Sequence, residues 1–279
     1  MKKEIITKKN HLSPKKKIIL WSVLALLLLA LIGWMIRDNT TVGLTTITLT
    51  EENLPRGFDG FRIAHVSDLH NSRLWKKTIQ QLKEADPDLI VITGDLVDGR
   101  RTDVEVAMQF IREAVQIADC FYVPGNHESY LSEETYNQLT AQMRDYGVIV
   151  MDDSEIVVHR DGSKISIAGH GWNEETDLSQ IGSFDGYRIL LSHWPEYFSD
   201  YVAAGFDLVF TGHTHGGQVR LPLIGAIYGP NQGLFPKYDA GLFSEGNTNM
   251  IVSRGIGNSR FPFRFNNQPE VILVELQRG

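Results

Sequence analysis

Five apolar segments of this sequence each lead into a short polar stretch that holds aspartate, asparagine or histidine. The segments span 61–66, 89–93, 121–123, 189–191 and 208–210, and their composition is typical of buried strands. In open α/β sheets, ligands bind beyond the carboxyl ends of the strands. The polar residues that we expect to meet at that edge are Asp68, His70, Asp95, Asn126, His193, His213 and His215.

The chemistry of this group indicates a site for two metal ions. Imidazole and carboxylate together suit Mn, Fe or Zn better than Ca or Mg, which prefer oxygen ligands. The single cysteine, Cys120, lies in an apolar run outside the group, so a structural zinc site is not expected. Seven ligands are too many for one ion and suit two ions that share one carboxylate. Such pairs clamp the attacking and leaving oxygens of a phosphoryl displacement.

The remaining histidines do not follow this pattern. His65, His159 and His170 lie within or beside predicted strands, and we expect them to be structural. His11 belongs to a basic N-terminal tail.

Predicted helices separate several of these strands. Val104, Met108, Ile111 and Val115 are spaced as one face of a helix, and 74–84 and 133–146 are also predicted to be helical. Alternating strands and helices predict an α/β core with largely parallel strands. Beyond Gly216 the sequence changes to glycine, proline and short strands, and it ends with a strand over 271–276.

The N-terminal region predicts a membrane anchor. Residues 1–17 hold seven lysines and one glutamate, and 18–36 is a run of 19 residues without charge. At 1.5 Å per residue this run can cross a hydrocarbon core of ~30 Å, and Trp21 and Trp34 lie near its ends, where aromatic rings prefer the interface. A cleaved signal peptide is the alternative, although no small-residue cleavage site follows. We expect 37–55 to be a linker, or an edge strand over 39–50, and 56–279 to be the folded domain.

Net charge argues against a nucleic-acid partner. Because the chain carries −7 overall and the first 17 residues carry +6, the rest carries −13. Binding to a phosphate backbone requires clustered lysine and arginine, which an acidic body lacks.

The ordered motifs resemble the signature of the calcineurin-like metallophosphoesterases. They are Asp68-x-His70, Gly94-Asp95-x-x-Asp98, Gly125-Asn126-His127-Glu128, His193 and Gly212-His213-x-His215, over about 61–218. Further C-terminal motifs are similar to the membrane-anchored bacterial branch of that family, namely Gly216-Gly217-Gln218, Ser253-Arg254-Gly255-Ile256-Gly257, Pro262-x-Arg264 and Pro269-Glu270.

This resemblance implies a fold and a role for each residue. The implied fold is α/β, with two packed mixed β-sheets flanked by helices, here preceded by one transmembrane helix. Asp68, His70 and His215 would hold one ion, Asn126, His193 and His213 the other, and Asp95 would bridge them. His127 would bind no metal and would protonate or hydrogen-bond the leaving oxygen. Asp98 would orient the surrounding loop, or cap a helix, and Glu128 receives no role.

The expected function is hydrolysis of phosphomonoesters or phosphodiesters, with a phosphorylated small molecule or a lipid-linked molecule of the membrane or envelope as substrate. A pyrophosphatase acting on a nucleotide-linked lipid precursor is the alternative, and it favours a cytoplasmic domain. A catalytically inactive metal-binding adaptor is disfavoured because every ligand and His127 are present. The lysines before residue 18 predict a cytoplasmic N-terminus and a catalytic domain outside the cytoplasmic membrane.

Overall fold

The computed structural model describes residues 13–172, 177–259 and 261–279. The tail lysines Lys2, Lys3, Lys8 and Lys9, together with His11, lie outside these described residues. Within them the helices are α1 (Pro14–Thr40), α2 (Trp75–Ala85), α3 (Val104–Ala114), α4 (Glu133–Asp145) and α5 (Phe198–Ala203). The three helices predicted from apolar spacing are thus confirmed as α2, α3 and α4, with ends that differ by one residue.

Sixteen strands are present in the described residues. They are β1 (Gly43–Glu51), β2 (Phe61–Val66), β3 (Leu89–Thr93), β4 (Asp119–Val123), β5 (Ile149–Val150), β6 (Ser154–Arg160), β7 (Ser163–Gly169), β8 (Arg188–Leu191), β9 (Leu208–Thr211), β10 (Arg220–Leu221), β11 (Gly225–Ala226), β12 (Tyr228–Gly229), β13 (Gly233–Leu234), β14 (Gly241–Glu245), β15 (Thr248–Val252) and β16 (Glu270–Arg278).

Two six-stranded mixed sheets form the centre of the fold. The first has the order β1-β16-β2-β3-β4-β5, and the second has the order β14-β15-β9-β8-β7-β6. Strands β2, β3, β4 and β5 are parallel to one another, and so are β7, β8, β9 and β15. Because parallel neighbours end at the same edge of a sheet, the loops that follow β2, β3, β4, β8 and β9 can meet.

The alternating faces of the strands explain why the sheets pack as layers. Ile63 and Val91 of the first sheet contact the second sheet, whereas their neighbours Ala64 and Ile90 pack with the helices α2, α3 and α4. On the far side of the second sheet, Val209 packs with α5. Successive side chains of a strand point to opposite faces of the sheet. Each buried strand therefore contributes side chains both to the core between the sheets and to the core under the helices. The predicted architecture of two packed mixed sheets flanked by helices is confirmed.

Helix α1 leads almost directly into the first sheet. It ends at Thr40, and β1 begins at Gly43 and pairs in parallel with β16 along its whole length. Of the two expectations for this stretch, the linker over 37–55 is wrong and the edge strand is correct. The folded domain therefore begins before residue 56, because the backbone groups of β1 hydrogen-bond to β16 and Leu49 is buried in the core between the sheets.

The apolar character of α1 fits the predicted anchor. Its 27 residues span about 40 Å, and its large apolar side chains are exposed along its length. The helix is therefore long and apolar enough to cross a membrane.

Candidate metal centre

The seven predicted ligands come together at the carboxyl edge of the two sheets, in the loops after β2, β3, β4, β8 and β9. In one group, His70 Nε2 lies 3.1 Å from His215 Nε2 and 3.3 Å from Asp95 Oδ2. Asp68 Oδ1 lies 3.4 Å from His215 Nε2. Ligand atoms of these four buried residues all lie within 4.8 Å of one another.

A second group adjoins the first through Asp95. His193 Nε2 lies 3.4 Å from the same Asp95 Oδ2 atom and 3.2 Å from Asn126 Oδ1. His213 Nδ1 lies 3.1 Å from His193 Nε2. One carboxylate oxygen thus faces an imidazole of each group.

The donor set fits metal ions. Asp68 and Asp95 are both buried, and their carboxylates are surrounded by imidazole nitrogens that point inward. Buried like charges are costly unless a cation compensates them. The pairs of imidazole nitrogens 3.1 Å apart have the spacing of neighbouring ligands around a common centre. The residues in place therefore suit borderline transition metals such as Mn, Fe or Zn.

The charges of the site perturb the pKa values of both carboxyl groups. Burial alone would raise the pKa of Asp68, but His215 and His70 outweigh it and hold this pKa well below its usual range. Burial also opposes ionisation of Asp95, and His193 and His70 likewise hold its pKa far below its usual range. Both carboxylates are therefore charged at neutral pH, the state that binds a metal ion.

Five of the seven candidate ligands have left-handed backbone conformations. Their φ values are 54° at Asp68, 45° at His70, 52° at Asp95, 68° at His213 and 49° at His215. This region costs an L-residue roughly 1–2 kcal/mol, although aspartate and histidine enter it more readily than most residues. Such strain is typical of functional sites, where the surrounding structure holds it in place.

Two glycines permit the loops to approach closely. A Cβ atom at Gly125 would lie 2.8 Å from the Asp95 nitrogen and 2.9 Å from His193 Cε1. A Cβ atom at Gly212 would collide with the side chains of Ser67 and Asp68. Any larger residue at these positions would push the ligand loops apart.

His127 lies beside the ligands. Its ring centre is 4.4 Å from that of His70, and its backbone N–H donates to Asp95 Oδ1 at 2.8 Å. The N–H of Gly99 donates to His127 Nδ1 at 3.1 Å, so the neutral ring carries its proton on Nε2. Burial lowers the pKa of His127 despite the charge of Asp95.

Asp98 contacts His127 and caps no helix. Its Oδ1 atom lies 3.4 Å from His127 Nδ1 and accepts the N–H of Arg100 at 3.0 Å. Helix α3 begins at Val104, beyond Asp98, so the alternative expectation of a helix cap is wrong.

Glu128 stabilises the loops of the site, and no role for it was predicted from the sequence. It is fully buried, and its carboxylate accepts the N–H groups of Asp95 at 2.8 Å, Val97 at 3.3 Å and Gly125 at 2.8 Å. Burial and the charge of Asp95 raise the pKa of Glu128 to about 7. Glu128 thus ties the loop after β3 to the loop after β4.

A cavity of about 790 Å³ opens over these groups. It is lined by Asp95, Asn126, His127, His213 and His215 of the site. Arg100 and Tyr130 also line it, as do residues of the segment 217–231 and Phe261. Arg100 brings a positive charge to a cavity next to the ligands, which suits an anionic substrate. No feature of the sequence pointed to Arg100.

The other histidines take part in the fold. His65 is buried, and its Nε2 atom lies 2.8 Å from Thr93 Oγ1. His170 Nδ1 lies 3.2 Å from Ser192 Oγ. His159 is exposed on β6, where it pairs with Lys164 of β7. None of the three is among the ligand atoms described above.

Comparison with known proteins agrees with this geometry. The sequence model of the family "Calcineurin-like phosphoesterase" matches residues 61–217. The uncharacterized metallophosphoesterase YkuE of Bacillus subtilis is 32% identical over 253 residues, which are 84% of this chain and 85% of that protein. The phosphodiesterase YaeI of Escherichia coli is 29% identical, over 77% of this chain and 82% of that protein.

A third relative has a more specific name. The UDP-2,3-diacylglucosamine pyrophosphatase LpxG of Chlamydia trachomatis is 26% identical over 91% of this chain and 95% of that protein. Since the family match covers more than half of the chain and the site residues lie within it, this chain belongs to the calcineurin-like phosphoesterase family and is a phosphoester hydrolase.

Proposed function

We propose that this chain is a two-metal hydrolase of phosphomonoesters or phosphodiesters that acts on a membrane- or envelope-associated substrate. The observation that carries the proposal is the position of Asp95 Oδ2, which lies 3.3 Å from His70 Nε2 and 3.4 Å from His193 Nε2. Because this oxygen lies between two groups of donor atoms, it is placed to bind two ions at once.

In this proposal each group of donors holds one ion. Asp68, His70 and His215 hold the first, Asn126, His193 and His213 hold the second, and Asp95 is common to both. When bound, such a pair polarises the phosphoryl group and makes water a stronger nucleophile.

The protein residues supply binding and proton transfer. In its neutral form His127 presents the Nε2 proton, because Gly99 occupies Nδ1, and this N–H can hydrogen-bond the leaving oxygen. Transfer of that proton to the leaving oxygen requires the imidazolium form, which carries a proton on Nδ1 as well. Asp98, 3.4 Å from Nδ1, favours the protonated ring. Arg100 lines the cavity and attracts the phosphoryl charge.

The membrane part of the proposal is supported by α1 and by the short connection to β1. With α1 in a bilayer, the two residues between Thr40 and Gly43 keep the domain close to the lipid surface. Confinement raises the encounter rate with membrane-embedded substrates and favours lipid-linked phosphates over free ones.

A pyrophosphatase acting on a nucleotide-linked lipid precursor is the second candidate. It is favoured by the similarity to the pyrophosphatase LpxG along 91% of this chain. The same two-metal chemistry would apply, with a phosphate in place of an alkoxide as the leaving group. A cytoplasmic domain would favour this candidate, since nucleotide-linked precursors are cytoplasmic.

A hydrolysis screen tests the proposal. The purified full-length chain would be supplied with Mn, Zn or Fe and offered phosphomonoesters, phosphodiesters and lipid pyrophosphates. We expect turnover of mono- or diesters that requires metal and is abolished by Asp95→Asn but not by Gln109→Ala, a half-buried residue on α3 that does not line the cavity. Turnover of pyrophosphates alone would select the second candidate, and metal-independent turnover would contradict both.

A further inference from the structure

Large apolar side chains are exposed on the segments that surround the candidate site. We call them the apolar rim, and they are Leu221, Leu223, Ile224, Leu234, Phe235, Phe261 and Phe263. Leu223 is fully exposed at the tip of the β10–β11 hairpin, and Leu234 and Phe235 are more than half exposed at the end of β13. The two hairpins are joined, because the N–H of Ile227 donates to Val219 O at 3.2 Å and the N–H of Phe235 donates to Ile227 O at 2.9 Å. Several exposed apolar side chains on joined segments are typical of a binding surface.

The rim borders the mouth of the cavity. Phe261 belongs both to the rim and to the cavity wall. Val219, the residue before β10, and Tyr228, the first residue of β12, line the cavity as well. The two hairpins that carry the rim thus begin at the cavity wall.

The rim is also joined to the end of α1. The indole of Trp34 stacks on Phe265 with 6.3 Å between ring centres, and the N–H of Arg220 at the start of β10 donates to Phe265 O at 3.0 Å. Trp34 lies two residues before the end of the uncharged run at Ile36, or about 3 Å along the axis. If α1 spans the bilayer, Phe265 and the start of β10 lie at the depth of the headgroups.

Basic side chains lie at the same end of α1. Lys77 of α2 donates to Thr40 O, the last residue of α1, and Lys76 adjoins it. Arg37 donates to Gln268 Oε1 at 2.8 Å within the last turn of α1. Lysine and arginine at this level complement anionic lipid headgroups.

We propose that the apolar rim inserts into the interface of the same bilayer that α1 spans, so that the catalytic cavity opens onto the lipid surface. The proposal rests on the proposed membrane-associated function and specifies its substrate as a lipid whose phosphorylated headgroup enters the cavity while its chains stay in the bilayer. The helix and the rim then act as two attachments, which fix the orientation of the domain as well as its distance from the membrane.

Spin-label depth measurements test the insertion directly. The full-length chain with Cys120→Ala would carry a nitroxide at Leu223→Cys and be reconstituted into phosphatidylcholine vesicles containing phosphatidylglycerol. Ile156→Cys, an exposed apolar position on the edge strand β6, is the matched control. We expect the label at 223 to be more accessible to dissolved oxygen than to a water-soluble nickel chelate, and the label at 156 to show the reverse. Equal nickel accessibility at the two positions would overturn the proposal.

A paired activity measurement tests the consequence for substrate. We expect the double variant Leu223→Glu, Ile224→Glu to lose about tenfold or more in turnover of a phosphorylated lipid in vesicles, because both apolar contacts with lipid are lost. Turnover of a soluble aryl phosphate should stay within about twofold, because neither residue lines the cavity. If the double variant turns over both the phosphorylated lipid and the soluble aryl phosphate at the parent rate, the proposal that the rim inserts into the bilayer is wrong. If the parent chain does not hydrolyse the soluble aryl phosphate, the proposed function is contradicted instead. The spin-label depths would still show whether the rim inserts into the bilayer.

Discussion

At the scale of single residues, Asp95 is the position where the two groups of candidate ligands meet. We expect Asp95→Asn to lower the occupancy of both ions, because its Oδ2 atom faces His70 and His193 alike. His70→Ala should lower mainly one. Elemental analysis of the purified variants measures this directly, with Asp98→Asn as a carboxylate control that binds no ion. Two full equivalents of metal in Asp95→Asn, or a single ion in active parent protein, would contradict the shared-ligand assignment.

His127 should matter for turnover and little for metal retention. We expect His127→Ala to keep its metal and to lose ~10²–10⁴-fold in kcat, the usual contribution of a general acid. The loss should be smaller for esters with good leaving groups, which need less protonation. Steady-state kinetics across leaving groups of graded pKa tests this. A loss of equal size for every ester would assign His127 a role other than proton donation.

The left-handed backbone at His213 has a measurable cost. In the metal-free protein we expect His213→Gly to be more stable than His213→Ala by about 1 kcal/mol, because only glycine enters this region without steric cost. His193 is not in the left-handed region, so His193→Gly should be less stable than His193→Ala by about 0.5–1 kcal/mol. Thermal unfolding of the four variants measures these stabilities. If the glycine and alanine variants have the same order of stability at both positions, the backbone of His213 is not strained.

The sequence predicted the convergence of the ligands well but missed Glu128. Each ligand follows an apolar strand, so a rule about strand ends was sufficient to find it. The partners of Glu128 are backbone N–H groups, two of them more than 30 residues away in sequence. Backbone donors carry no signature in sequence, and a glutamate next to histidine looks like a solvated residue. Arg100 was missed for a related reason. Its position in the cavity wall depends on the assembled fold and has no signature in the local sequence.

At the scale of elements, the loop from His215 to Gln218 is bound at both ends by the side chain of Asn267. All four residues have positive φ, and Asn267 Nδ2 donates to His215 O at 2.7 Å and to Gln218 O at 3.3 Å. We expect Asn267→Ala to lower the free energy of unfolding by about 0.5–1.5 kcal/mol and to lower metal occupancy. Each carbonyl loses one of its two donors, because His215 O keeps the N–H of Gln218 and Gln218 O keeps the N–H of Phe265.

The matched variant for this loop is Asn267→Asp, which keeps the shape of the side chain but removes the donor. It should behave like Asn267→Ala, whereas Asn267→Gln should retain part of the stability and of the metal. Denaturant unfolding combined with elemental analysis distinguishes these outcomes. Full metal occupancy in Asn267→Asp would show that the loop needs no donor from this position.

Strand β1 marks the limit of what could be predicted about elements. Its threonine-rich sequence fits either an exposed linker or an edge strand, because only one residue of the strand, Leu49, is fully buried. Its partner β16 begins at Glu270, more than 200 residues later. Pairing over that distance depends on the assembled sheet and cannot be seen in local spacing. Helices α2, α3 and α4, by contrast, were predictable because each carries its own apolar face, whereas the short helix α5 was not predicted.

At the scale of the whole molecule, the end of α1 is connected to the site through Asn267, whose side chain donates to His215 O. Asp38 is buried, and its Oδ2 atom accepts the N–H of Asn267 at 3.0 Å. Asn39 exchanges two hydrogen bonds with the backbone of Arg264, at 2.7 and 2.8 Å. These hydrogen bonds fix the position of the domain relative to α1, whereas the sequence suggested an extended linker of about twenty residues between them.

The distribution of charge predicts the side of the membrane on which the domain lies. Seven lysines precede the uncharged run in sequence, whereas Arg37 is the only basic residue among the first residues that follow it, and Asp38 comes next. Short flanks rich in lysine and arginine stay in the cytoplasm, so we expect the N-terminus inside and the domain outside. The close connection from Thr40 to Gly43 would then hold the domain against the outer surface of that membrane.

External protease added to intact spheroplasts of a bacterial host that expresses the chain tests this orientation. We expect the domain to be degraded, while a cytoplasmic control protein survives until the cells are lysed. Replacing Lys15, Lys16 and Lys17 by glutamine should weaken the bias, since these residues begin α1 beside the uncharged run. Degradation should then become incomplete. A domain that resists protease in intact spheroplasts and is degraded after lysis would place it in the cytoplasm. That result would favour the pyrophosphatase candidate, because a nucleotide-linked lipid precursor is available on that side of the membrane.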